Sequence, residues 1–169
     1  MSNPLPDKNR LTLAQAMRCF ATSVSIISTC DEKNHHYAMT ATAVSSVSLE
    51  PESMLVCVNK STLFNSIVES LDEFCINVLK TGQVSQSRDC AGGLPQDNRV
   101  NDDEWEILES GPAVLKNAQA HIFCRKTAVF TYGTHNILVG DVFHIDMNDK
   151  FNPLLYMDGK YGSFNPIDD

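Results

Sequence analysis

Between Ser23 and Asn59, and again from Glu73 to Lys80 and from Ala120 to Met147, the chain is one short β-type run after another. "SVSIIST", "AMTATAVSSVSL", "SMLVCVN", "EFCINVLK", "AHIFCRKTAVFTY" and "NILVGDVFHIDM" are rich in β-branched and aromatic residues and read as strands. The polar "CDEKNHH", the "EP" dipeptide and "GTH" between them read as tight turns. A doubly wound sheet needs a helix between each pair of parallel strands, and the helical segments here are too few to alternate with the strands. The pattern predicts a mainly β fold, an antiparallel barrel with a few attached helices.

Two segments have helical spacing. "LTLAQAMRCF" puts Leu13, Ala16, Met17 and Phe20 on one face, with Thr12 and Gln15 placed for a capping box. "STLFNSIVESL" repeats through Leu63, Ile67 and Leu71, with Ser61 as its N-cap. The irregular stretch from Thr81 to Ile107 is expected to hold a short helix near Val84–Cys90 and then a loop able to act as a lid or a dimer contact. "NPLLYMDGKYGSFNP" reads as turn chemistry. A length of 169 residues with no repeat and no linker fits a single domain over 1–169.

A net charge of −8 argues against a nucleic-acid backbone or an anionic membrane as partner. The opening "MSNPLPDKNR" has no apolar signal-like core and no run is long enough to span a bilayer, so a cytoplasmic location is expected. The six cysteines are scattered without a C-x-x-C pair and read as reduced, packed thiols. Cys30 with His35 and His36 has no specific metal spacing, and no metal is expected. Asp102, Asp103, Glu104 and Glu106 around Trp105 read as a solvated face.

Glycine-rich nucleotide cradles, a nucleophile elbow and H-E-x-x-H are all missing. What remains is unusual. Thr40, Thr42, Ser45, Ser46 and Ser48 fall within nine positions of an otherwise Ala/Val strand, a composition suited to a surface laid against a flat, polar-edged ligand. At "NKSTLFNS", Asn59, Lys60, Ser61 and Thr62 sit where a helix should begin, so free N–H groups, Lys60 and the distant Arg88 could gather the positive character an anion needs. On these residues alone a helix cap beside a surface lysine is the favoured reading, and His135 in "YGTHN" is more readily a turn residue than a functional one.

Four of these segments, in order, resemble the short-chain flavin reductase family: "YAMTATAVSSVSLEPESMLVCVNKSTLFNSIVES", "FCINVLKTGQVSQSRDCAG", "GTHNILVGDV" and "PLLYMDGKYGSF". The likeness is nearest to the reductase components of two-component aromatic hydroxylases. It implies a Greek-key split β-barrel, a homodimer, FMN or FAD as flavin, NADH or NADPH as hydride donor, and a partner monooxygenase receiving reduced flavin. By this resemblance Thr40, Ala41, Thr42, Ala43, Ser46, Val47 and Ser48 would line the flavin site. Asn59, Lys60, Ser61 and Thr62 would hold the ribityl and phosphate end, Arg88 would pair with phosphate, and His135 and Tyr161 would lie near the nicotinamide. Ala38 stands where relatives often have glycine, and "MDG" where they often have a basic or aromatic residue. An FMN-dependent oxidase of the pyridoxamine-phosphate type and a non-catalytic flavin carrier remain alternatives on the same barrel.

Overall fold

A computed structural model describes residues 11–167; the N-terminal "MSNPLPDKNR", on which the location argument partly rests, lies outside them. Twelve strands follow in chain order: β1 (Thr22–Ser23), β2 (Ser25–Cys30), β3 (His36–Ala41), β4 (Val44–Leu49), β5 (Glu52–Asn59), β6 (Glu73–Val78), β7 (Trp105–Glu106), β8 (Val114–Leu115), β9 (Ala120–Tyr132), β10 (His135–Met147), β11 (Leu154–Met157) and β12 (Lys160–Ser163). Seven of them form one antiparallel sheet in the order β3-β2-β6-β9-β10-β5-β4. This is the Greek-key split barrel: the sheet curls, but its edge strands β3 and β4 do not pair with each other. The gap they leave is where the site forms.

The central strands are buried on both faces, which is why they read as continuous apolar runs instead of alternating ones. β2 shows it directly: Ile27 packs inside the barrel with Val58, Phe64, Phe74 and Leu138, while its neighbour Ile26 faces a second core of Leu79, Trp105, Leu115 and Leu154. Between the two lies Asn77 on β6, fully buried and fully satisfied. Its Nδ2 donates to Ile26 O (3.0 Å) and Ser28 Oγ (2.9 Å), and its Oδ1 accepts from Leu115 N (2.9 Å). Gly140 on β10 is required by close approach, since a Cβ there would stand 2.6 Å from Phe74 Cε1 and 2.9 Å from Arg125 O.

Several expectations change in detail. The long hydroxyl-rich strand is two strands, broken at Thr42–Ala43. The helix over 61–71 is a 3-10 turn, Leu63–Ile67, capped by Thr62 and not by Ser61, with Thr62 Oγ1 accepting from Asn65 N at 3.3 Å. Trp105 is only 1% exposed and anchors the second core, so the acidic residues around it flank a buried tryptophan. "PLLYMDGKYGS" is a β-hairpin, β11–β12, which joins β1 in a three-stranded sheet. The N-terminal helix α1 (Leu13–Met17) has its capping box, yet Leu13, Met17 and Phe20 are exposed. All six cysteines are free thiols.

Candidate functional site

At the gap between β3 and β4 lies a cleft of about 480 Å³. That is within the ~300–1,000 Å³ typical of small-molecule sites. Its floor is the strand break itself: Thr40, Ala41, Thr42 and Ala43. One wall is the β5 end and the turn after it, with Asn59, Ser61 and Thr62, and His135 stands beside them because β10 pairs with β5 in the register His135↔Asn59. The opposite wall is the π-helical turn Asp89–Gly93 that continues α2 (Val84–Arg88), with Cys90, Ala91 and Gly92, and beyond it Arg99. Eight of the residues named from the sequence therefore meet in one place: Thr40, Ala41, Thr42, Ala43, Asn59, Ser61, Thr62 and His135.

The local chemistry is set by hydrogen bonds within the chain. Asn59 Oδ1 accepts from Ser61 N and Ser61 Oγ, both at 3.0 Å, and Thr62 Oγ1 donates to Asn59 O at 2.8 Å. Thr40 Oγ1 donates to Ser87 O at 2.7 Å, which ties β3 to α2. Since each hydroxyl has one hydrogen and two lone pairs, these side chains present mainly acceptors to the cleft. Lys60 does not line it: its Nζ donates to Gly133 O (3.0 Å), and its N–H to Thr134 O (3.0 Å). These bonds hold the turn preceding His135 against the β5 end. His135 opens β10 and is not in the turn; its Nδ1 lies 3.0 Å from Thr134 Oγ1.

The 3-10 turn offers less to an anion than a full helix, because few peptide dipoles align and the Asn65 N–H is already bonded. Positive charge comes from elsewhere. Among the described residues, Arg99, which sequence reading missed, is the only Lys or Arg lining the cleft, and no carboxylate lines it. Within a chain of net charge −8 this is a local inversion. Gly92 (φ 114°) gives the wall a left-handed turn that a side chain would strain. Burial pushes the Cys90 thiol up to about 12, so it is a neutral wall group at physiological pH and not a nucleophile.

Arg88 and Tyr161 lie in an adjoining depression of about 540 Å³ together with Val84, Tyr156 and Lys160. The Arg88 guanidinium stands 5.6 Å over the Tyr161 ring, which in turn meets Tyr156 edge-on at 5.3 Å. The two sites touch through Ser87: its carbonyl accepts from Thr40, and its hydroxyl lies 3.0 Å from Tyr161 Oη. Ser46, Val47 and Ser48 enter neither site; they lie on β4, the outer edge strand. A larger depression of about 580 Å³ near the β2–β3 turn is lined by Asp31, Glu32, Asp72 and Glu73 with Lys33 and His35, a surface on which carboxylates outnumber basic groups. Among the described residues no His/Cys/Asp/Glu group of three could hold a metal ion, and no helix is long and apolar enough to cross a membrane.

A split barrel whose cleft is lined by small residues and hydroxyls has the shape and chemistry to take a flat, polar-edged ligand. The family model for the flavin reductase-like domain matches residues 17–165. The reductase component of an FADH2-dependent resorcinol hydroxylase from a Rhizobium species is 34% identical over 98% of this chain and 93% of its own length. An NADH-dependent FMN reductase, RutF 2, from Rhizobium rhizogenes is 34% identical over 95% of this chain and 92% of its own. Among solved structures, the NADH:FAD oxidoreductase SgcE6 of Streptomyces globisporus, in complex with NAD and FAD fragments, superposes with a TM-score of 0.84 at 26% identity, covering 99% of this chain and 100% of that one. The chain belongs to the flavin reductase-like family. Within it, this protein is an NAD(P)H:flavin oxidoreductase.

Proposed function

We infer that this chain, as one domain spanning 1–169, reduces FMN or FAD with NADH in the β3–β4 cleft and releases the reduced flavin to a separate monooxygenase. The observation carrying the site assignment is the convergence of Thr40–Ala43, Asn59, Ser61, Thr62 and His135 on one cleft whose lining holds a single full positive charge, Arg99. The residues present fit a flavin. Short side chains at Ala41, Thr42 and Ala43 let a flat ring approach the backbone, and the acceptor-rich hydroxyls of Ser61 and Thr62 suit a polyol chain. Arg88, at the rim of the neighbouring depression, would meet the phosphate-bearing end, and Tyr161 the nicotinamide nucleotide.

The bound flavin supplies the two-electron acceptor chemistry; the protein binds, orients and shields. His135, fixed by the β5–β10 register and by the Lys60 contacts to Gly133 and Thr134, would position the nicotinamide against the ring. Few charged contacts suit a flavin that must leave. The hydroxylase named in the resorcinol-system relative supports a phenol-oxidising partner in aromatic catabolism. A cytoplasmic homodimer is part of the same reading: Leu13, Met17 and Phe20, with Val47 and Leu49 on the β4 edge, leave apolar surface exposed that a second copy would cover.

The test is NADH and NADPH oxidation followed by absorbance, with riboflavin, FMN and FAD added in turn. Turnover saturating with flavin is expected. Flavin binding without turnover would instead leave a carrier or an oxidase.

A further inference from the structure

Arg99 is half-buried at the cleft wall, and its bonds are unusual for a guanidinium in an acidic protein. Nε donates to Leu94 O (3.0 Å), and Nη1 donates to Ala38 O (2.9 Å) and Gln96 Oε1 (3.1 Å). All three acceptors are neutral. Among the described residues, no carboxylate comes within ion-pair distance, and Nη2 with its two hydrogens carries no hydrogen bond. Asp89 and Glu104 act on the neighbouring Cys90 but pair elsewhere or not at all; Glu104 accepts from Gln86 Nε2 at 2.6 Å. The adjoining Gln96 is 6% exposed, and its Nε2 has no partner. Buried donors are almost always satisfied, and a half-buried charge without a counter-charge is costly. Here the unbonded Nη2 belongs to the Arg99 side chain that lines the cleft, and Gln96 beside it keeps a buried Nε2 without a partner.

The reductase reading, on which this inference rests, identifies a negative charge that appears during the reaction. Hydride transfer breaks the nicotinamide C4–H bond and forms a flavin N5–H bond. Two electrons and one proton pass to the flavin, NADH becomes NAD⁺, and the reduced flavin carries one more negative charge than the oxidised one, spread over N1 and the C2 carbonyl oxygen. The geometry points to Arg99 as the counter-charge for that anion, with Nη2 as the donor. Its three neutral anchors fix the guanidinium before the charge arrives, so little reorganisation is needed when it does. Ala38 contributes through its carbonyl, which is the Arg99 anchor on β3.

The experiment compares binding in two redox states with two flavins. Oxidised riboflavin and FMN are titrated by fluorescence, and dithionite-reduced riboflavin and FMN by anaerobic calorimetry, for wild type, Arg99→Met and Arg99→Lys. Arg99→Met is expected to weaken both reduced flavins about 10- to 100-fold, the range for loss of a charged hydrogen bond. It should leave both oxidised flavins within about threefold, and Arg99→Lys should retain most of the preference for the reduced state. Equal weakening of both states would make Arg99 a clasp for the 94–99 segment and overturn the inference. So would a loss confined to FMN, which assigns the guanidinium to phosphate. If Arg99→Met does not fold, the wild type alone decides: the bound reduced flavin must lose its N1 proton at lower pH than the free one, by absorbance, and an unshifted titration overturns the inference. Wild-type protein that binds neither flavin would overturn the reductase reading itself.

Discussion

Thr40–Ala43 closes β3 over the cleft, whereas Val44–Leu49 runs along the outer edge of the same sheet as β4. The two pieces are adjacent in the chain and similar in composition. In the first, Ala41 is buried, Thr40 is tied to Ser87 and the ladder stops at Thr42, which puts backbone and short side chains at a concave surface. In the second, Ser46 pairs with Met54 and Ser48 with Ser53 across a bulge, and Ser45, Ser46, Val47 and Leu49 are exposed. Small hydroxyls therefore serve two ends. Beside α2 and the Cys90–Arg99 wall they leave a concave space; on the edge strand they leave a flat, exposed surface.

The largest expected effect is at the first piece. Ala43→Leu would fill the cleft floor and should raise the flavin Kd at least about 100-fold while leaving the melting temperature nearly unchanged, because Ala43 is exposed. Unaltered flavin affinity would move the ligand elsewhere. His135→Ala should lower kcat with NADH about 10- to 100-fold and change flavin affinity far less, as expected for loss of positioning. Equal loss of both would remove His135 from the nicotinamide side.

Arg88→Ala should weaken FMN about tenfold relative to riboflavin, from loss of one charge-assisted contact. An identical effect on the two flavins would separate the Arg88 depression from the cleft. Thr40→Val leaves the Ser87 carbonyl without its donor and should cost about 1–2 kcal/mol in denaturant unfolding. The smallest effect should come from the second piece: Ser46→Ala with Ser48→Ala should change flavin affinity less than about threefold. A large loss there, in a protein shown by light scattering to be dimeric, would mean that β4 completes the site of a second copy and would dissolve the contrast.

Local chemistry made much of the molecule legible. The runs 120–132 and 136–147 coincide with β9 and β10, apart from His135 joining the latter, because β-branched and aromatic residues continue without a breaker up to Gly133. The Thr12–Gln15 box and the Asn59–Thr62 turn are contacts within three residues, so spacing alone reveals them. Arg99 escaped notice because its anchor on Ala38 lies 61 residues away and nothing around "QDNRV" distinguishes it from a surface arginine. Trp105 was obscured by its acidic neighbours, which are exposed at Asp102, Asp103 and Glu106 and only partly buried at Glu104.

Local propensity and motifs read in order were enough for the β-rich class, the turns, the family and most of the residues that line the cleft. Tertiary structure alone decided that one hydroxyl-rich stretch divides between a cleft and an edge, that Arg88 and Tyr161 occupy a neighbouring depression, and that Arg99 faces the cleft without a counter-charge. Sheet closure and charge pairing depend on which distant segments meet, and a failure of two edge strands to pair leaves no mark in either strand.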